Sequence, residues 1–291
     1  MFSIFDKQDW LLVSCCNDGG LLLLNIKSGS TEILDNRGCT GLIIGKNYLL
    51  RGLQYPDLFA IERVQLDGAV TYWRQGGLAN IHDLIEHKNL IYAVSTATNE
   101  VVCLNREYQI LKRYRFPGEG ESWHLNCLDV WQGRIVVSAF GKFSNHLEFK
   151  GQTVGRGLIV DLESQAVIVD RLSQPHSILT HGGCHYCCNS EKSELVELRN
   201  GEVIRSKIFE DYVRGLCVVK GKLLVGLSKS RNIETYGDHA RIIELDLKSF
   251  SVLRAWELPF PEVWTMKVIT LNYKNGLKLA FEAAEKQGAA A

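Results

Sequence analysis

The stretch RGLCVVKGKLLVG, residues 214–226, reads as two short apolar runs either side of a Lys-Gly-Lys turn, which is the pattern of a β-hairpin. Four other segments align with it without gaps: TGLIIGKNYLLRG from Thr40, HDLIEHKNLIYAV from His82, NCLDVWQGRIVVS from Asn126 and HSILTHGGCHYCC from His176. Each has Leu or Ile two residues after its first position, and Asn or Gly seven residues after it, at Asn47, Asn89, Gly133, Gly183 and Gly221. A tight turn between two strands needs those residue types at that place.

The segments recur about every 40 to 50 residues, the period of a four-stranded propeller blade. The remaining strands follow in order, for example ARIIELDL and SFSVLRAWEL after the fifth hairpin and GLIVDL and QAVIVDRL after the third. A sixth unit exists only if the ends join. WTMKVI from Trp264 opens a repeat near the end of the sequence, and QDWLLVSCC, LLLLNI and STEIL near its start supply the missing strands. The sequence therefore predicts an all-β fold, a six-bladed β-propeller over residues 1–272 with its last blade closed by N- and C-terminal strands. Closure of this kind removes exposed sheet edges. Residues 273–291 form a C-terminal tail of helical composition.

Composition excludes some functions. The formal net charge is zero, so a generic nucleic-acid surface is not expected. No apolar run approaches the roughly 20 residues of a transmembrane helix, and the first residues lack a signal-peptide pattern. Nine cysteines without disulfide spacing fit free thiols in a reducing compartment, and a cytoplasmic location is expected. The densest His and Cys cluster, HGGCHYCCNS at 181–190, resembles a zinc site locally. In the repeat register HGG is a turn and CHYCCNS a strand, so Cys184, Tyr186 and Cys188 face one side while His185 and Cys187 face the other. Cys184 and Cys187 have zinc-knuckle spacing but point apart. Cys15 and Cys16, adjacent in an expected strand, diverge in the same way.

The register also names the residues that open the innermost strands, where propellers bind ligands around the axis: Thr40, His82, Asn126, His176, Arg214 and Trp264. The loops after the second strands add Lys142, Ser228, Lys229 and Arg231. His82 and His176, with His124 nearby, are acid/base candidates, because an imidazole titrates near neutrality. Arg214 and Lys229 are anchors for a carboxylate or phosphate, and Trp264 is a platform for a flat ligand or sugar. The alternative is a divalent metal cofactor shared by His82, His176 and Asn126, although the ring holds no carboxylate and Asp83 or Glu121 has to supply one from beside it. The competing structural reading is that a His at a strand start only ties one blade to the next.

HLNCLDV at 124–130, QPHSILTHGG at 174–183, VRGLCVVKGKLLVGLSKSR at 213–231 and the following RIIELDL resemble the signatures of a bacterial propeller family whose members are largely of unassigned function. The resemblance spans residues 120–270. It implies the propeller fold and a mouth built around His124, Asn126, His176, Arg214, Ser228 and Lys229. It also implies a sugar-derived ligand, because such families accompany glycan-assembly genes. The expectation is an enzyme, a hydrolase or lyase, acting on a small anionic or carbohydrate-derived molecule. The alternatives are a propeller that binds a ligand or a protein partner without catalysis, and a metal-dependent lactonase or lyase.

Overall fold

In the computed structural model, which describes residues 9–55, 58–74, 78–230, 233, 235 and 237–286, six four-stranded antiparallel sheets form the blades of a propeller. Blade 1 comprises Cys39–Ile44, Tyr48–Tyr55, Leu58–Gln65 and Val70–Trp73. Blade 2 comprises Ile81–His87, Leu90–Ser95, Glu100–Leu104 and Ile110–Arg115. Blade 3 has Leu125–Trp131, Arg134–Ala139, Gly157–Asp161 and Val167–Leu172. Blade 4 has Pro175–His181, Cys184–Asn189, Glu194–Arg199 and Glu202–Ile208. Blade 5 has Tyr212–Val219, Lys222–Ser228, Arg241–Asp246 and Val252–Glu257. In blade 6, Thr265–Ile269 pairs with Trp10–Ser14, followed by Leu21–Asn25 and Thr31–Asp35, so both ends of the chain share one sheet as the repeat predicts.

The turns and strands follow from local chemistry. In blades 2 to 5 both residues of the first turn have positive φ: Lys88 and Asn89, Gln132 and Gly133, Gly182 and Gly183, Lys220 and Gly221. That is the two-residue hairpin geometry matching strand twist, and it explains why Asn or Gly occupies the second position. Middle strands such as LLLLN, the third of blade 6, read as continuous apolar runs because successive side chains enter two different interblade seams. Leu22 and Leu24 pack with Leu11, Val13 and Ile242 between blades 5 and 6, whereas Leu21 and Leu23 pack with Leu12, Leu42 and Leu49 between blades 6 and 1. Each such buried leucine contributes about 1.5–3 kcal/mol.

The helix α1, Leu271–Lys286, begins directly after the closing strand. It buries Tyr273, Leu277, Ala280, Phe281 and Ala284, one face of a helix, in the seam between blades 6 and 1. The final residues 287–291 lie outside the described residues. No described helix is long and apolar enough to cross a membrane.

HGGCHYCCNS forms a turn and a strand: Tyr186 and Cys188 enter the seam toward blade 5, Cys187 the seam toward blade 3, and His185 stacks on Trp131 at 4.1 Å. All nine cysteines are free. The pair Cys15 and Cys16 lies just past the strand that ends at Ser14, not within it, because Cys15 N–H turns to the Gly20 carbonyl to close the loop.

The innermost strands share a feature that no repeat pattern announces. Their pairing with the second strand shifts at Cys39/Leu42, Ile81/Leu84, Leu125/Leu128, His176/Ile178 and Val213/Leu216. Such bulges re-aim side chains, and here they recur beside the axial residues. The bulged residues also link neighbouring blades: Asp83 Oδ2 accepts Leu128 N–H at 2.8 Å, Cys127 Sγ accepts Ser177 N–H at 3.0 Å, and Ser177 Oγ accepts Gly215 N–H at 2.8 Å. Asp83 Oδ1 also accepts Leu84 N–H. Asp83→Ala strands two buried N–H groups and is expected to cost about 1–3 kcal/mol in urea unfolding; an unchanged midpoint contradicts this role.

Candidate functional site

The structure places the six register residues at the entries of the innermost strands, and all six are buried. Four of them, His82, His176, Arg214 and Trp264, form one contact set about the axis. His82 packs edge-on against Trp264 at 4.9 Å and against His124 at 5.1 Å, and His176 packs edge-on against Trp264 at 5.9 Å. Arg214 lies over the Trp264 ring at 4.5 Å and sends Nη2 to within 3.4 Å of His176 Nε2. Asn126 is fully buried; its Oδ1 receives the Cys127 thiol, and its Nδ2 has no hydrogen-bond partner among the described residues. Thr40 stands apart, its hydroxyl donating to the Ile81 carbonyl at 2.7 Å, a tie between blades 1 and 2.

Trp264 differs from the expected open platform. Its indole N–H donates to the His82 carbonyl at 2.7 Å, and its ring is covered by Arg214. Arg214 is itself engaged, with Nη1 on Glu262 Oε2 at 2.7 Å and Nε buried without a hydrogen-bond partner among the described residues. Among the loop residues, Ser228 Oγ accepts Val263 N–H at 3.0 Å, Lys229 pairs with Asp238 at 2.6 Å, and Lys142 is exposed with Nζ 5.7 Å from the Trp123 ring. None of the three is hydrogen-bonded to a register side chain among the described residues, and Arg231 lies outside them.

A second tier lies two residues before the first, where all but Tyr212 stand in the irregular backbone just ahead of the innermost strands. It comprises Gly38, Asn80, His124, Gln174, Tyr212 and Glu262, of which the sequence reading found only His124. The missed signal is the same repeat, read two positions earlier. This tier holds the first in place. His82 Nδ1 lies 3.1 Å from the Asn80 carbonyl and His176 Nδ1 2.9 Å from the Gln174 carbonyl. A carbonyl only accepts, so both rings are assigned the Nδ1–H tautomer, with the lone pair on Nε2. Tyr212 donates to Gln174 Oε1 at 2.6 Å, and Glu262 holds Arg214. Asn80, His124 and Gln174 all have positive φ, so the left-handed backbone at His124 is a recurrent blade entry and not strain peculiar to one residue.

The electrostatics favour neutral imidazoles. Burial, reinforced by His124, pushes His82 well below the usual histidine range, and burial with Arg214 does the same to His176. His124 has the opposite kind of partner: its Nδ1 lies 2.6 Å from Glu121 Oε1, while Phe140 and Phe149 pack on its ring at 4.0 and 4.6 Å. The Glu121 and His124 side chains keep 13% and 15% of their surface exposed, more than the tier beneath.

The donor set does not suit a shared metal. Among the described residues no group of three or more His, Cys, Asp or Glu is placed to hold one. Asp83, one of the carboxylates expected beside the ring, uses both oxygens on backbone N–H groups, and Glu121 is turned to His124.

Fold and site together define a six-bladed β-propeller with a two-tier polar cluster on its axis. Residues 69–253, more than half of the chain, match the family described as a domain of unknown function, DUF4915, and the chain belongs to that family. No match is found among curated proteins. Similar solved structures include a protein of unknown function from Bacteroides caccae, at TM-score 0.65 and 12% identity over 88% of this chain and 97% of that one. A chain from a nidogen–laminin complex gives TM-score 0.66 at 10% identity over 88% and 97%. A candidate 6-phosphogluconolactonase from Bacteroides fragilis gives 0.55 at 11% over 92% and 100%. At these identities the likeness establishes the fold alone.

Proposed function

We propose that the axial cluster binds and transforms a small oxygen-rich molecule, anionic or carbohydrate-derived, by imidazole acid/base chemistry. The observation that carries this reading is the Glu121–His124 pair set over two neutral imidazoles. A carboxylate on Nδ1 fixes the tautomer and orientation of the ring, leaving Nε2 to exchange a proton with a ligand. Beneath it, Asn126 Nδ2 and Arg214 Nε are buried donors without partners among the described residues, which suits the oxygens of a carboxylate, lactone or polyol. The neutral His82 presents a lone pair on Nε2 and acts as an acceptor of protons. Arg214 is not a free anchor; a ligand carboxylate competes with Glu262 for it, which favours neutral or singly charged molecules over phosphate esters.

The test is incubation of the protein with a panel of aldonolactones, uronic acids and sugar phosphates, followed by mass spectrometry, with His124→Ala in parallel. Consumption of one panel member by the wild type, slowed about 10²–10⁴-fold in the variant, is the expected result. A second reading, ligand binding without catalysis, is favoured by the pairing of Arg214 with Glu262 and of Lys229 with Asp238. It is distinguished by a panel member that shifts the imidazole NMR signals but is never consumed. If nothing shifts those signals, both readings fail.

A further inference from the structure

The far ends of the same strands carry a second cleft. His87 closes the innermost strand of blade 2, five residues or roughly 16 Å of extended chain beyond His82, so the cleft lies at the opposite end of the propeller from the axial cluster. It sits between blades 2 and 3, encloses ≈ 470 Å³, and is lined by His87, Lys88, Tyr92, Tyr114, Arg134 and Glu163 among others. That volume is in the range of small-molecule sites.

Its wall is aromatic and apolar. Tyr92 and Tyr114 have ring centroids 6.5 Å apart at 37°, and Ile135 and Leu162 continue the surface into the core between the blades. Its charges are unequally committed. The acidic groups are occupied: Asp161 accepts Ser164 N–H and Oγ–H, both at 2.8 Å, and Glu163 holds Lys112 at 2.5 Å and the Tyr114 hydroxyl. The basic groups are not. Lys88 has no ion-pair partner among the described residues, Arg134 approaches Asp161 only at 3.9 Å, and His87 Nε2 is buried without a hydrogen-bond partner. A buried ring nitrogen without a partner, on a residue that lines an aromatic cleft, is a polar position that a ligand can satisfy.

We propose that this cleft binds a planar aromatic anion, with the ring against Tyr92 and Tyr114 and the acidic group toward Lys88, Arg134 and His87. Aromatic contact supplies the apolar part of the affinity, and Lys88 and Arg134 select the charge. The site is independent of the axial chemistry.

Calorimetric titration with 2-naphthoate, and with 2-naphthol as the uncharged analogue, tests it. Saturable binding of naphthoate is expected, at least about tenfold tighter than naphthol. The double variant Lys88→Asn/Arg134→Ala alters two residues outside the core; Asn suits the positive φ of Lys88. It should unfold at the wild-type midpoint while binding naphthoate about tenfold more weakly, and Tyr114→Ala should weaken both probes. His124→Ala should leave naphthoate affinity unchanged. The proposal is overturned by the absence of saturable binding, by equal affinity for the two probes, by indifference to the double variant, or by loss of binding in His124→Ala, which relocates the probe to the axis.

Discussion

Replacing Arg51 by alanine is expected to remove about 3–5 kcal/mol of folding free energy, a large share of the 5–15 kcal/mol typical of a domain. Arg51 is fully buried at the seam where the closing blade meets blade 1. Its guanidinium binds Glu62, also fully buried, and Asp35 at the end of the outer strand of blade 6. Arg37 completes a square, with Nη2 on Glu62 at 2.8 Å, Nε on Asp35 at 2.9 Å and Nη1 on the Tyr72 hydroxyl. Arg51 also lies 5.2 Å from the Phe281 ring of α1. Burial acts to raise the Asp35 carboxyl, yet Arg51 and Arg37 outweigh it and hold it below the usual range. Removing Arg51 leaves two carboxylates sharing one arginine in a largely buried seam. The loss is large because an uncompensated buried charge remains, and not because the intact pair is strongly stabilising. The double change Arg51→Met/Glu62→Leu should therefore lose much less than the sum of the single changes in urea unfolding. Additive losses, or a loss below about 1 kcal/mol for Arg51→Ala, contradict the account.

The contrast between this network and the turns shows what the sequence makes legible. Gly183 and Asn89 announce themselves because a positive φ admits few residue types, and the period of the blade repeats the announcement. The axial ring inherits that legibility, being defined by its distance from the turns. Arg51, Glu62 and Asp35 carry no such constraint. Their pairing depends on which seam each strand face enters and on how the ring closes, and no spacing along the chain encodes it. The same holds for Glu262 and Arg214, 48 residues apart, and for Phe140 and Phe149, which the long loop of blade 3 folds back onto His124. The second tier stands between these cases: it shares the period of the first and was readable two positions upstream. The bulge belt of Asp83, Cys127 and Ser177 was not, since an acid, a thiol and a hydroxyl share only the ability to accept an N–H.

Acid should weaken the fold more steeply than its carboxylates alone require, because His82 and His176 are held neutral inside it. Burial is the main cause for both, with His124 adding to it at His82 and Arg214 at His176. In the unfolded chain the same imidazoles titrate near 6.5. Above that value neither state binds the proton, and the two groups are neutral to stability. Below it the unfolded state gains protons that the folded state refuses, so stability falls as pH falls, by about 1.4 kcal/mol per pH unit for each imidazole until its depressed folded value is reached. With both rings contributing, the slope approaches about 2.7 kcal/mol per unit. Replacement by glutamine removes the titration while keeping a side-chain amide near the Asn80 or Gln174 carbonyl. Urea unfolding between pH 7 and 5 should therefore show His82→Gln and His176→Gln each flattening the slope by about one proton, and the double variant by about two. Parallel slopes for the wild type and the double variant would mean that the two imidazoles accept protons inside the fold. Arg214 then has to tolerate a second cation 3.4 Å from its guanidinium, and the proton-acceptor role proposed for His82 fails with the prediction.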